Sequence, residues 1–221
     1  MEPSPNLFRP IIFIGAARVG KTKILKRMLE MNSQLFKQPL AHTSRESHGF
    51  DVDGGDYYFV SKEWMCREIA SGRFLEYREH RGHLYGIHEN TVIDLISSGI
   101  IALINLQPQS LKHVRSCAYI RPYVVFIRPS NSMTNSNNST NTDVGSKRVS
   151  KRSSRQPSAC EDSYVKIFVE THKIDYLYGQ YFDLPIVNDS LEETIKEVMD
   201  AIESLKRKPQ WVPAHWLIEV E

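Results

Sequence analysis

The chain has 221 residues, a formal net charge of +2, 41% hydrophobic and 24% charged residues. That composition fits a globular domain with a sizeable core and excludes both a disordered chain and one built on charge for nucleic acid. Cys66, Cys117 and Cys160 are widely spaced and form no C-x-x-C pair, which argues against a disulfide framework or a zinc site and for a reducing compartment. Met1-Glu2-Pro3-Ser4-Pro5 lacks the basic and apolar regions of a secretory signal, and no run approaches the roughly 20 apolar residues of a membrane span. The expectation is a cytoplasmic protein whose membrane contact is peripheral.

Ile11-Ile12-Phe13-Ile14 reads as a buried strand, and Ile24, Leu25, Met28 and Leu29 recur at helical spacing. Between them lies Gly15-Ala16-Ala17-Arg18-Val19-Gly20-Lys21-Thr22, which matches G-x-x-x-x-G-K-[ST] at every position. Strand, glycine loop and helix together make a P-loop. Its backbone N–H groups and the helix N-terminus attract phosphate. Lys21 would bridge the outer phosphates and Thr22 would offer its hydroxyl to Mg²⁺. Gly15, Gly20, Lys21 and Thr22 are therefore nucleotide-binding candidates, with ATP and Mg²⁺ the ligands they suit. The same pattern also serves a strand–turn–helix whose glycines only make the turn.

The segment from Pro39 to Ser61 is polar and turn-rich, with a hairpin-like signal at Gly54-Gly55 and a strand at Tyr57–Val60. Ser61 is placed as the N-cap of a helix ending at Gly72. Phe74–Tyr77 and Leu84–Gly86 read as strands joined at Arg81-Gly82, so a small β-rich lobe is expected beside the main sheet. Then Thr91–Ser98 is helical, Ile100–Ile104 a strand, Gln109–Arg115 a short helix and Tyr123–Ile127 a third core strand. Alternation of this kind predicts an α/β fold, a parallel sheet with helices on both faces.

From about 130 to 160 the chain turns to Ser, Asn and Thr and then to basic residues, with little to bury, and reads as a disordered insertion. It is either a spacer or a tether regulated at Ser150, Ser153 and Ser158, each with basic residues upstream. Beyond it, Val165, Phe168, Val169 and His172 follow helical spacing. Phe182–Val187 is a strand. Ser190 with Glu193 makes a capping box for a helix carrying Leu191, Ile195, Val198, Ile202 and Leu205. Trp211 and Trp216, after that helix, have no obvious place in the core, and an apolar strand there invites pairing with another sheet.

Several motifs together resemble guanylate kinase, and more closely its relatives in the membrane-associated guanylate kinase (MAGUK) scaffolds. They are His42-Thr43-Ser44-Arg45, Gly55-Asp56-Tyr57-Tyr58-Phe59-Val60-Ser61, Phe74-Leu75-Glu76-Tyr77 and Leu84-Tyr85-Gly86. Gln109-Ser110-Leu111-Lys112, Pro122–Ile127 and Pro209-Gln210-Trp211-Val212-Pro213 are similar to the palmitoylated-membrane-protein (Stardust/Pals-like) branch. The resemblance implies a P-loop nucleoside monophosphate kinase fold over residues 9–208, with a GMP-binding-like lobe at about 39–89. It also implies that the strand in 209–221 pairs with an SH3 domain, supplied in cis by a longer chain or in trans.

The resemblance further implies site roles. Arg45, Tyr57 and Tyr85 match the residues that hold the GMP phosphate, and His48 stands at a second arginine position. Glu76 matches the guanine-reading carboxylate, while Ala41 and Ile87 replace hydroxyls. Asn105 replaces an aspartate beside the metal, and the helix of residues 162–177 lacks the arginines of the lid. Because phosphoryl transfer depends on positioning and charge neutralisation, one arginine being worth about 10³–10⁵ in rate, these departures imply a non-catalytic module. It would bind phosphorylated or acidic peptides at Arg45, His48, Tyr57, Glu76 and Tyr85, with no catalytic or metal-ligating residues, no required cofactor and no nucleic acid. An active kinase transferring phosphate from ATP to GMP is the alternative.

Overall fold

The computed structural model describes residues 9–117, 119–130, 159–208, 212 and 216. Expectations for residues 131–158 and for Trp211 lie outside them. Five strands, β1 (Ile11–Ile14), β2 (Phe36–Lys37), β7 (Ile101–Asn105), β8 (Tyr123–Pro129) and β9 (Leu184–Asn188), form the main sheet in the order β2-β7-β1-β8-β9. Every pairing in it is parallel. The fully apolar β1 is central and all four of its residues are buried, as a strand covered on both faces requires. Helices α1 (Lys21–Met31), α3 (Glu89–Ser97), α4 (Leu111–Ser116), α5 (Ala159–Tyr178) and α6 (Leu191–Arg207) connect or follow these strands. One buried cluster joins β1, β7 and β8 to Ile24 and Met28 of α1 and to Ile195, Val198 and Ile202 of α6.

A second sheet holds β3 (His42–Thr43), β4 (Tyr58–Phe59), β5 (Phe74–His80) and β6 (His83–His88) in the order β4-β3-β6-β5. Helix α2 (Lys62–Ala70) begins at Ser61, whose hydroxyl accepts the N–H of Trp64 at 3.1 Å, and closes at Gly72. The β5–β6 hairpin turns at Arg81 and Gly82, with φ of 51° and 81°, the left-handed pair that a two-residue turn needs.

Three expectations need correction. The Gly54-Gly55 turn is not a hairpin: its own bonds close it, Gly54 N–H to Tyr57 O and Gly55 N–H to Val52 O, but β4 then pairs parallel with β3. The local turn signal was right, and the partner strand is non-local. On α5, Val165 and Val169 are exposed, with relative areas of 61% and 62%. The buried stripe is instead Thr171 and Ile174, with Ile167 and Tyr178 packed on the core. Thr171 fits there because its hydroxyl donates to Ile167 O at 2.7 Å. Finally, Trp216 does have a place inside, as it is fully buried. Its indole N–H donates to Arg115 O at 3.0 Å, and the guanidiniums of Arg9 and Arg115 lie 5.5 and 5.3 Å from its ring.

Candidate functional site

Because the main sheet is parallel, the ends of β1, β7, β8 and β9 lie along one edge, where ligands of such folds sit. The P-loop springs from the end of the central strand. Gly20 adopts φ 102°, and a Cβ there would collide with the side-chain amide nitrogen of Asn188. That amide donates to Val19 O at 2.8 Å, and Asn188 Oδ1 accepts the hydroxyl of Thr194 at 3.0 Å, so the start of α6 braces the loop. Lys21 donates to Gly15 O and Ala16 O, each at 2.7 Å. Burial pushes its pKa down, with Glu170 of α5 opposing the shift. Thr22 is exposed on the first turn of α1. The loop thus keeps the glycines, cation and hydroxyl that suit a nucleotide phosphate with Mg²⁺. Asn105 closes β7 opposite Phe13 and is exposed.

Alongside, Arg128 at the end of β8 pairs with Asp175 of α5 at 2.7 Å. Both line a cleft of about 210 Å³ with Phe168, Thr171 and His172. That volume is below the range of small-molecule pockets. Ser130 and Asp189 share a hydrogen bond at the same edge.

The phosphate-side candidates gather on the small sheet. The Thr43 hydroxyl accepts the Arg45 N–H at 3.1 Å and donates to Leu84 O at 3.1 Å, which fixes the arginine at the end of β3. The Arg45 guanidinium lies 5.3 Å from the Phe59 ring and 6.0 Å from the Tyr57 ring. Tyr57 and Tyr85 meet edge-on with centroids 5.8 Å apart. Arg45, Tyr57 and Tyr85 therefore stand together. His48 comes to this group through its backbone, while its ring is exposed.

Sequence reasoning missed the acid that faces them. Asp51 receives both arms of Arg45, Nη1 to Oδ2 at 2.8 Å and Nη2 to Oδ1 at 3.2 Å, and the His48 N–H at 2.7 Å. The hydrogen bond from Arg45, then that from His48, holds the Asp51 pKa at about 2. Asp51 in turn raises that of Arg45. The signal was available as an acid six residues after the arginine in a turn-rich segment. Glu76 lies elsewhere on this lobe's face, where its Oε2 accepts the Gln107 N–H at 2.6 Å and the Ser110 hydroxyl at 3.1 Å. Ala41 and Ile87 are half-buried and offer no hydroxyl.

Comparison with known proteins bears on this arrangement. The family model described as guanylate kinase matches residues 7–205. Protein PALS2 of Mus musculus is 32% identical over 211 residues, covering 95% of this chain and 36% of that protein. MAGUK p55 subfamily member 4 of Rattus norvegicus is 29% identical over 216 residues, covering 95% of this chain and 46% of that protein. The chain spans less than half the length of either relative. A crystal structure of guanylate kinase from Anaplasma phagocytophilum aligns with a TM-score of 0.52 and 18% identity over 91% of this chain and 87% of that one, a likeness of fold alone.

Proposed function

The chain belongs to the guanylate kinase family, and from that premise we propose that it works as a non-catalytic interaction module of a cell-polarity or junction scaffold. Its former GMP site would bind phosphorylated or acidic segments of partner proteins. The observation that carries this reading is the unequal survival of the site. Arg45, Tyr57 and Tyr85 still cluster as an anion fork, whereas the guanine-side carboxylate of Glu76 is taken up by Gln107 and Ser110, and the end of β7 presents the neutral Asn105. A pocket that keeps Arg45, Tyr57 and Tyr85 but has Ala41 and Ile87 in place of base-reading hydroxyls favours phosphate on a different carrier.

The similarity to MAGUK p55 subfamily member 4 supports a scaffold role. As the sequence motifs imply, an SH3 domain, supplied in cis or in trans, would be the neighbour of the C-terminal segment. Among the described residues no helix is long and apolar enough to cross a membrane. This module would reach the cytoplasmic face of the plasma membrane through its partners.

The second reading, an active guanylate kinase, is favoured by the intact P-loop. Gly15, Gly20, Lys21 and Thr22 fit ATP phosphates and Mg²⁺, which when bound supply the phosphoryl group and its charge neutralisation. The deciding experiment is ADP release from Mg-ATP with and without GMP. The expected result is no GMP-dependent turnover above a Lys21→Ala control, together with binding of phosphoserine peptides that Arg45→Gln abolishes. Turnover of order 1 s⁻¹, typical of the low end for kinases, would overturn the module reading.

A further inference from the structure

We infer that Asp51 is an internal competitor for the Arg45 fork, setting an affinity threshold that singly charged carboxylates fall below and a doubly charged phosphate clears. The inference rests on the reading of that fork as an anion site, and it narrows the partner from acidic or phosphorylated segments to phosphorylated ones.

The competitor is built into one turn. Asp51 N–H donates to His48 O at 2.7 Å, and Asp51 Oδ2 accepts the His48 N–H at 2.7 Å. The turn of residues 48–51 thus presents its own carboxylate to both arms of Arg45. Beyond these bonds and those of Val52 to Gly55 and Asp56, little holds it there. Phe50 is fully exposed and Val52 is 59% exposed, so no apolar burial anchors the turn on either side of Asp51. The Arg45 and Asp51 side chains each keep 21% of their area in solvent. An ion pair with one side open to solvent can be exchanged for a solute anion of higher charge.

What can exchange with it follows from charge and concentration. A carboxylate on a partner offers Arg45 the same two oxygens and single charge as Asp51, but it competes with a group already tethered beside the fork at high effective concentration. It therefore loses. A phosphomonoester carries about −1.5 to −2 charge and three acceptor oxygens. It can fill the bidentate fork and still offer an oxygen to the hydroxyls of Tyr57 and Tyr85, which Asp51 does not use. Occupation by Asp51 lowers the apparent affinity for every anion by the same factor, but only the weaker class falls below useful binding.

The test titrates methyl phosphate and acetate into the full chain at pH 7.5, reading the NMR signals of the Arg45 side chain and of Tyr57 and Tyr85. In the unmutated protein methyl phosphate moves these signals and acetate at equal concentration does not. In Asp51→Asn, which keeps an acceptor for the His48 N–H, methyl phosphate is expected to bind about 3- to 10-fold more tightly, and acetate to bind measurably. Asp51→Ala should behave alike, and Arg45→Gln should remove both responses. Unchanged affinities in both Asp51 variants, acetate binding as well as methyl phosphate to the unmutated chain, or no response of Arg45 in any variant would each overturn the threshold. The peptide reading fails differently: methyl phosphate selected as described, with no phosphoserine peptide bound, leaves the threshold intact and removes the peptide. Phosphopeptide binding that Asp51→Asn does not alter leaves the peptide and removes the threshold.

Discussion

The carboxylate of Glu76 accepts the backbone N–H of Gln107 at 2.6 Å, so a residue of the small sheet is fastened to the loop that follows core strand β7. The Ser110 hydroxyl adds a second bond at 3.1 Å. Hydrogen bonds to a charged group contribute about 1.5–3 kcal/mol where water is excluded, and Glu76 is half-buried. Glu76→Ala should therefore lower stability by about 1–2 kcal/mol, and Glu76→Gln by less. Urea unfolding measures the loss, and amide exchange at Gln107 should quicken while that of Leu103, inside β7, stays slow. Unchanged exchange at Gln107 would mean that the tie holds nothing.

Asn188 braces the P-loop from outside it. Its amide donates to Val19 O and its oxygen accepts from Thr194, so Asn188→Ala takes a hydrogen-bond partner from each of two buried residues. The expected cost is about 1–3 kcal/mol. If the loop holds nucleotide, the thermal shift produced by Mg-ATP should also shrink in Asn188→Ala and vanish in Lys21→Ala, because Lys21 must leave Gly15 O and Ala16 O to meet a phosphate. Differential scanning calorimetry with and without Mg-ATP separates the two effects.

Much of this molecule is legible along the chain, and what is not has a common cause. Apolar runs such as Ile11–Ile14 and Tyr123–Ile127 specify buried parallel strands by themselves, and Ser61 and Ser190 mark helix starts that the hydroxyls do cap. The P-loop, Arg45, Tyr57 and Tyr85 are each carried by a local motif. What escapes are pairings between distant or chemically unremarkable residues. Two stripes run along α5, and nothing local says that Ile167–Ile174 rather than Val165–Val169 faces the core. Asp51 is one acid among several in a polar stretch, and only the folded turn aims it at Arg45. Asn188 meets Val19 across 169 residues of sequence.

Trp216 is the clearest case for a measurable contribution from the end of the chain. It is buried with its indole N–H on Arg115 O, and Arg121 donates to its carbonyl at 2.6 Å. Nearby, Arg9 donates to Arg121 O and Pro122 O, and Arg115 pairs with Asp183 at 2.6 Å. Trp216→Ala empties a large volume between charged neighbours and should cost about 3–5 kcal/mol. Trp216→Phe keeps most of the packing, loses the hydrogen bond to Arg115 O and should cost about 1 kcal/mol. Denaturant midpoints at constant m-value test the ordering, and equal losses in the two variants would contradict it.

His42 sets the acid limit of the small lobe. Its ring stacks on Trp64 at 5.4 Å and packs against Tyr58, Phe74 and His88, and its buried Nδ1 has no hydrogen-bond partner among the described residues. Burial first, and the neighbouring His88 second, push its pKa down to about 4, with Asp53 opposing them. In the unfolded chain the same imidazole titrates near 6.5. As pH falls below that value the unfolded state takes up the proton first, so the stabilisation present above about 6.5 is lost progressively toward about 4 and falls no further from this group below that. The expectation is a melting temperature that drops between pH 6.5 and 4, with amide protection lost first in β3 and β6. His42→Phe, which cannot take up a proton, should flatten that part of the profile. A slope that persists unchanged in the variant would assign the titration to another group.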